Sequence, residues 1–258
     1  MRIARFVADS DPLYGVVEGE PGSAEITVIN GDPFFNGVER THVRHKLEDV
    51  RLLAPIIPRS KVIGVGRNFT EHARELGNEV PQHPLLFLKP NTSVIGPNDP
   101  IVLPEFSEEI SYEAELCVVI GRICKDVPEE RADDVIFGYT CGNDLTARDV
   151  QKTDLQWARA KGFDTSAPLG PWIETELDTE DLAIQGRLNG ELRQDGSTSQ
   201  MIRGVRELVS IVSQAFTLLP GDVIMTGTPA GVGLVQAGDR YEVEIEGIGR
   251  LSNPVVRR

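Results

Sequence analysis

Glu113 and Glu115 stand two residues apart at the head of an otherwise apolar stretch, Ile110-Ser111-Tyr112-Glu113-Ala114-Glu115-Leu116-Cys117-Val118-Val119-Ile120-Gly121. Side chains two apart on a strand share a face, so these carboxylates lie about 6 to 7 Å apart and point the same way. Cys117 and Val119 continue on that face, while Leu116, Val118 and Ile120 occupy the other, the pattern of a strand covered on both sides. Carboxylates entering such a strand repel each other and are costly to bury unless paired with cations or bound to a metal. The competing reading is a solvated strand edge, because exposed glutamates are common. Hard divalent ions prefer oxygen ligands, so the metal reading needs a third one. Asp144, in Gly142-Asn143-Asp144-Leu145-Thr146-Ala147-Arg148-Asp149-Val150-Gln151, is the best placed, with Asp149 the nearby alternative. Four histidines, His42, His45, His72 and His83, show no HxxxH pair, which disfavours zinc and leaves Mg²⁺ or Mn²⁺ as the better fit.

A second group could move protons. His72 and Glu75 are three apart in Thr70-Glu71-His72-Ala73-Arg74-Glu75, and on a helix they are neighbours. Glu75 can then accept from one imidazole nitrogen while the other faces substrate or water, the geometry of a general base. A plain surface helix accounts for the same spacing. Lys161, in Arg159-Ala160-Lys161-Gly162-Phe163, reads equally as a surface lysine, and Arg148 with Gln151 reads either as a carboxylate grip or as exposed polar residues. Gly64-Val65-Gly66 follows a strand, but Phe69 replaces the third glycine of a dinucleotide fingerprint, and Gly227-Thr228-Pro229-Ala230-Gly231-Val232-Gly233 lacks the end of a phosphate loop. That segment is expected to form a turn whose N–H groups and Thr228 hydroxyl meet a small anion. The chain also lacks the G-x-S-x-G elbow of a serine hydrolase.

The elements that must position these groups are mostly strands. Short strand-like pieces, Ile3 to Val7, Tyr14 to Val17 and Glu25 to Ile29, suggest a small β-rich cap over residues 1–54. The prolines of Leu53-Ala54-Pro55-Ile56-Ile57-Pro58 mark a boundary, and residues 55–258 form the larger unit. There, strands are expected at 61–65, 85–89, 112–120, 137–141, 182–188, 222–226 and 240–245. Helices are expected from Asn68 as N-cap to Gly77, from Pro128 to Ile136, and from Gly204 to Phe216. Asn189-Gly190 signals a type I′ hairpin. The fold class is α+β with β dominating, without repeats or low-complexity tracts.

With 258 residues, 40% of them hydrophobic, the chain can bury a substantial core. It has no apolar run of about 18 residues and no signal-peptide pattern, so a cytoplasmic location is expected. Cys117, Cys124 and Cys141 lack CxxC spacing and cannot all pair, so reduced thiols are expected. Lys plus Arg number 26 against 40 Asp plus Glu, and a net charge of -14 argues against nucleic acid and anionic membranes as partners. An acidic small molecule could bind only where a metal or clustered cations override that field.

Taken in order, these segments resemble the fumarylacetoacetate hydrolase superfamily over roughly residues 55 to 254. The resemblance rests on Gly66-Arg67-Asn68-Phe69 with His72 and Glu75, Phe87-Leu88-Lys89-Pro90, Glu113-Ala114-Glu115, Asn143 to Asp149, Lys161-Gly162-Phe163 and Gly227 to Gly233. It implies a fold of several packed β-sheets with a few peripheral helices and a small N-terminal β domain. It further implies a metal held by Glu113, Glu115 and Asp144, a catalytic dyad of His72 and Glu75 on a mobile lid, and Lys161 as a catalytic residue on the substrate side or positioning water. Arg67, Arg148, Gln151 and Thr228 match substrate-binding positions, and a homodimer is the usual assembly. Phe69 stands where many members carry Tyr. The implied substrate is a 2-oxo or 2,4-dioxo dicarboxylate whose enolate the metal stabilises. Isomerisation of 2-hydroxyhepta-2,4-diene-1,7-dioate or hydrolysis of acylpyruvates is favoured, with oxaloacetate decarboxylation as the alternative. A catalytically silent metabolite-binding protein of the same fold should have lost a ligand or the dyad, and this chain retains candidates for every role.

Overall fold

A computed structural model describes residues 1–257 except Pro21, Leu76 and 78–80. Its largest sheet orders its strands Arg40–Lys46, Glu25–Ile29, Leu13–Glu18, Arg2–Val7, Ala167–Glu174, Ile136–Asn143, Ala114–Ile120, Val223–Met225, Val62–Gly66 and Leu85–Lys89. The order is antiparallel except where Val223–Met225 runs parallel to Val62–Gly66. A second sheet orders Glu191–Ser197, Ala183–Leu188, Arg240–Ile245, Gly249–Arg257 and Ile101–Leu103, and a small third one joins Thr146–Ala147, Ile110–Tyr112 and Gly233–Leu234. This is a β-dominated α+β fold with few helices.

The strand Ala114–Ile120 is covered on both faces, as its sequence requires. Leu116, Val118 and Ile120 enter a core shared with Ile184, Val243 and Leu208, while Cys117 and Val119 pack in a separate cluster with Leu169, Val223 and Met225. The helix Val205–Ala215 closes the first core with Val205, Leu208, Val209 and Val212 on one side, starting after Gly204 and ending before Phe216. Each such side chain contributes about 1.5–3 kcal/mol of burial. At the hairpin, Asn189 and Gly190 have φ of 53° and 83°, the two positive values a type I′ turn demands.

Three expectations need correction. The single strand expected over 112–120 is divided at Glu113, where the chain leaves the small sheet and enters the large one. There the side-chain oxygen of Asn143 accepts from the Glu113 N–H at 2.9 Å, substituting for a ladder partner. Asn68 is not a helix cap: its amide donates to the carbonyls of Arg203 and Thr226 and accepts from the Arg203 N–H, stitching three segments ahead of the helix Thr70–Glu75. The segment after Pro128 is a 3₁₀ helix, Glu129–Asp134.

The N-terminal strands pair in succession, and Arg2–Val7 joins the large sheet beside Ala167–Glu174, where the terminal ammonium also meets Glu174. They carry an apolar cluster of their own, built on Ala4, Phe6, Val17 and Ile26. No helix among the described residues is long and apolar enough to cross a membrane.

Candidate active site

Glu113, Glu115 and Asp144 meet where three pieces of chain converge. The switch between sheets supplies Glu113, the first residues of the following strand supply Glu115, and the turn after Ile136–Asn143 supplies Asp144. The Asp144 N–H donates to the Glu113 carbonyl at 2.9 Å, which locks the turn against the switch. All three are at most 3% exposed, which excludes the solvated-edge reading, and one oxygen from each lies within 4.8 Å of the others. An oxygen-only set of buried carboxylates has the chemistry of a hard divalent cation site. Asp149, the alternative third ligand, lies elsewhere: its carboxylate accepts from Ser107 Oγ and the N–H groups of Glu108 and Val150.

Three buried or nearly buried cations surround the cluster. Lys161 Nζ bridges Glu113 Oε2 at 2.7 Å and Asp144 Oδ2 at 2.6 Å, Lys89 Nζ reaches Asp144 Oδ1 at 2.5 Å, and an Arg148 amine reaches Glu113 Oε1 at 2.5 Å. Burial would raise the Glu113 carboxyl, but Lys161, Arg148 and His72 outweigh it and hold Glu113 well below the usual range. Burial also opposes the Lys161 ammonium, yet Asp144 and Glu113 overcome it and raise its pKa. Burial prevails at Lys89, which is lowered despite Asp144. Among the described residues, Glu115 has no lysine or arginine partner at bonding distance. Burial, then Asp144 and Glu113, push its carboxyl well up, opposed by Lys161 and the Gly227 N–H that donates to Oε2 at 2.8 Å. Gly227 reaches that carboxylate with φ of 99°, and a Cβ there would sit 2.8 Å from the Asn68 Cβ.

His72 faces the same space, 95% buried, with Nε2 3.9 Å from Glu113 Oε1 and Nδ1 3.5 Å from Glu75 Oε2. Nδ1 makes no hydrogen bond among the described residues, so the dyad is adjacent without being closed. Burial lowers the His72 pKa more than Glu113 and Glu75 raise it, leaving a neutral imidazole that can take a proton. Glu75 accepts from the Gly231 N–H at 3.1 Å and ties the helix to the glycine-rich loop. Leu76, near the end of the helix expected to Gly77, lies outside the described residues, as do residues 78–80. A cavity of about 320 Å³ opens onto His72, Glu113, Glu115, Arg67, Arg148 and Lys161, and Gln151 and Thr228 also line it. A larger cleft of about 770 Å³ beside Glu129, Asp133 and Tyr139 contains none of these groups, so chemistry and not size identifies the site.

Two expected substrate contacts differ in detail. The Thr228 hydroxyl donates to the Ala114 carbonyl and accepts from Gln194 Nε2, both at 2.8 Å, so its hydrogen is not offered to an anion. Arg148 is engaged by Glu113, Ser111 and Gln151, which makes it a holder of Glu113 before any grip on substrate. Arg67 lines the cavity and has φ of 59°, in the left-handed region uncommon for residues other than glycine. Two site residues have no role in the sequence reading. Lys89 carries the same signal as the glutamates, a charge ending the apolar run Leu85-Leu86-Phe87-Leu88. Gln194 has no such signal, because Arg193-Gln194-Asp195 reads as an exposed hairpin arm, yet it is fully buried with four hydrogen bonds, to Ala114, Thr228, Pro229 and Tyr241.

A buried carboxylate cluster that could hold a metal, with lysines and a histidine beside it on a β-dominated α+β scaffold, defines the class of a candidate metal-binding enzyme. The chain belongs to the fumarylacetoacetate hydrolase family: residues 61–256 match the family described as fumarylacetoacetate (FAA) hydrolase C-terminal, and residues 1–55 match the Rv2993c-like, N-terminal family. It is 48% identical to Protein Rv2993c of Mycobacterium tuberculosis, over 100% of this chain and 99% of that one. It is 41% identical to the oxaloacetate tautomerase YisK of Bacillus subtilis, over 93% and 88%. A crystal structure of 5-carboxymethyl-2-hydroxymuconate delta-isomerase from Mycobacterium smegmatis superposes with a TM-score of 0.93 at 48% identity, covering 100% of both chains.

Proposed function

We propose that the protein is a divalent-metal-dependent tautomerase of 2-oxo dicarboxylates, moving a proton at the carbon beside the keto group. One observation carries this reading: the buried His72 shares a small cavity with Glu113 and Glu115 of the carboxylate cluster, where burial lowers its pKa. Glu113, Glu115 and Asp144 would hold Mg²⁺ or Mn²⁺, which when bound supplies an electrophile for the substrate's carboxylate and keto oxygens. The cavity's dimensions suit a short dicarboxylate, and Arg67 at its wall offers a cation to the remote carboxylate. His72 takes the proton through the nitrogen that faces Glu113, while Glu75 orients the ring and favours its protonated form. Lys161 holds Glu113 and Asp144 in place and presents an ammonium to the developing oxyanion. Two similar proteins bear names of proton-transfer enzymes, a tautomerase and a delta-isomerase, which supports the same choice.

Hydrolysis of an acylpyruvate is the second reading, favoured by the His72–Glu75 pair, which could activate water instead. The deciding measurement is nuclear magnetic resonance of oxaloacetate, acetylpyruvate and the heptadienedioate with Mn²⁺- or Mg²⁺-loaded protein in D₂O. Rapid deuteration or double-bond migration without loss of carbon is expected. Acetate release would establish hydrolysis, pyruvate from oxaloacetate would establish decarboxylation, and either without deuteration would overturn the tautomerase reading.

A further inference from the structure

With every carboxylate ionised, as metal ligation requires, and every cation charged, the inner site is balanced by the protein alone. Glu113, Glu115 and Asp144 contribute three formal negative charges, and Lys89, Lys161 and Arg148 contribute three positive ones. The side chains of both lysines are at most 4% exposed and that of Arg148 is 11% exposed, so water screens none of the three well. A divalent cation bound to the carboxylates adds two uncompensated positive charges to a buried space, and such an excess is costly. Nor does the outer wall relieve it: Arg67 and Lys152 are further cations lining the cavity, and Lys152 is paired outward with Glu109. Glu75, the acid of the dyad, is a third exposed and bonded to Gly231.

We infer that this cation set makes metal and substrate binding mutually dependent, so that a divalent metal binds weakly alone and tightly with a doubly charged 2-oxo acid. Resting on the metal reading proposed above, the inference adds the regulation of that site. Lys89 is a positioning residue in this scheme: it holds Asp144 Oδ1 while Lys161 holds Oδ2, and its role is to set the charge the ligands must cancel. By linkage, the factor by which the dianion tightens the metal equals the factor by which the metal tightens the dianion.

The test is calorimetric titration of Mn²⁺ into the metal-free wild-type protein, alone, with saturating oxalate and with saturating oxamate, free metal being corrected for complexes in solution. Oxalate and oxamate share size and shape but carry two and one negative charges. Oxalate is expected to tighten Mn²⁺ binding by about tenfold or more, and oxamate by clearly less. Equal Mn²⁺ affinity with and without oxalate overturns the inference and leaves the metal site standing. Equal enhancement by both anions overturns it too, because chelation and not charge would then be the cause. Absence of Mn²⁺ binding in every arm removes the metal reading along with it. Lys89→Gln, with folding checked by its melting curve, should bind Mn²⁺ more tightly alone and show a smaller oxalate factor. An unchanged factor in a folded variant counts against the charge explanation, and the wild-type titrations decide the matter if that variant does not fold.

Discussion

Glu113, Glu115 and Asp144 are each fixed by charged or backbone donors at 2.5 to 2.8 Å, whereas His72, across the same cavity, stands 3.5 Å from Glu75 and 3.9 Å from Glu113 without a closed hydrogen bond. The difference follows from where each group sits. The carboxylates grow from strands and a turn locked between two sheets, so their orientation is set before any ligand arrives. His72 belongs to a six-residue helix, Thr70–Glu75, that touches the site mainly through its side chains and the Glu75–Gly231 contact. Under the proposed reaction this contrast is a sound division of labour, because a preorganised electrostatic centre can work with a base whose proton contacts are long until the complex forms.

The sharpest way to break this comparison is to remove the rigid half. Asp144→Asn keeps the size of the side chain but removes one ligand charge and a partner of both Lys89 and Lys161. Divalent-metal affinity measured by calorimetry is expected to fall by more than about a hundredfold, beyond the usual loss from altering a ligand's own partner, and turnover should go with it. Undiminished affinity would mean that the cluster is not the metal site.

Removing the loose half should separate binding from chemistry. His72→Ala is expected to lower the rate of proton transfer by about 10² to 10⁴ while leaving Mn²⁺ affinity within about twofold, since no carboxylate depends on a short contact to the ring. A parallel fall in both quantities would show that the histidine and the cluster act as one unit.

The same contrast explains what the sequence revealed. Strands such as Leu85–Lys89, Glu25–Ile29 and Arg240–Ile245 obey local rules, whereas Arg40–Lys46 lies outside the expected strands. Glu113 and Glu115 are legible because a charge in an apolar run contradicts its surroundings; Asp144 stands beside Asp149 as one of two candidates after a strand, and the family resemblance singles it out. Their partners were harder to see, because Lys161 and Arg148 look like ordinary surface cations until the turn at 144 folds over them. Gln194 was invisible for a deeper reason. Its burial depends on the hairpin Ala183–Ser197 packing against the glycine-rich loop, a contact between residues far apart in the chain that no local pattern encodes. Asn68 failed in the opposite sense: it fits the rule for a helix cap, but three distant backbone groups compete for its amide and prevail.

The smallest expected effect probes the link between the two halves. Glu75→Gln removes a charge but keeps an oxygen that can accept from the Gly231 N–H, so the helix should stay docked. Burial holds the His72 pKa below its ordinary value of 6.5, and the charge of Glu75 raises it partway back. A base must be unprotonated, so kcat/KM should be full at alkaline pH and fall as the pH drops through the His72 pKa, with a midpoint below 6.5. Taking away the Glu75 charge moves that midpoint further to the acid side, and the weaker base should cost less than about tenfold in rate at neutral pH. A midpoint that stays in place, or moves toward alkaline pH, would show that Glu75 serves the loop contact alone and leaves His72 to work without it.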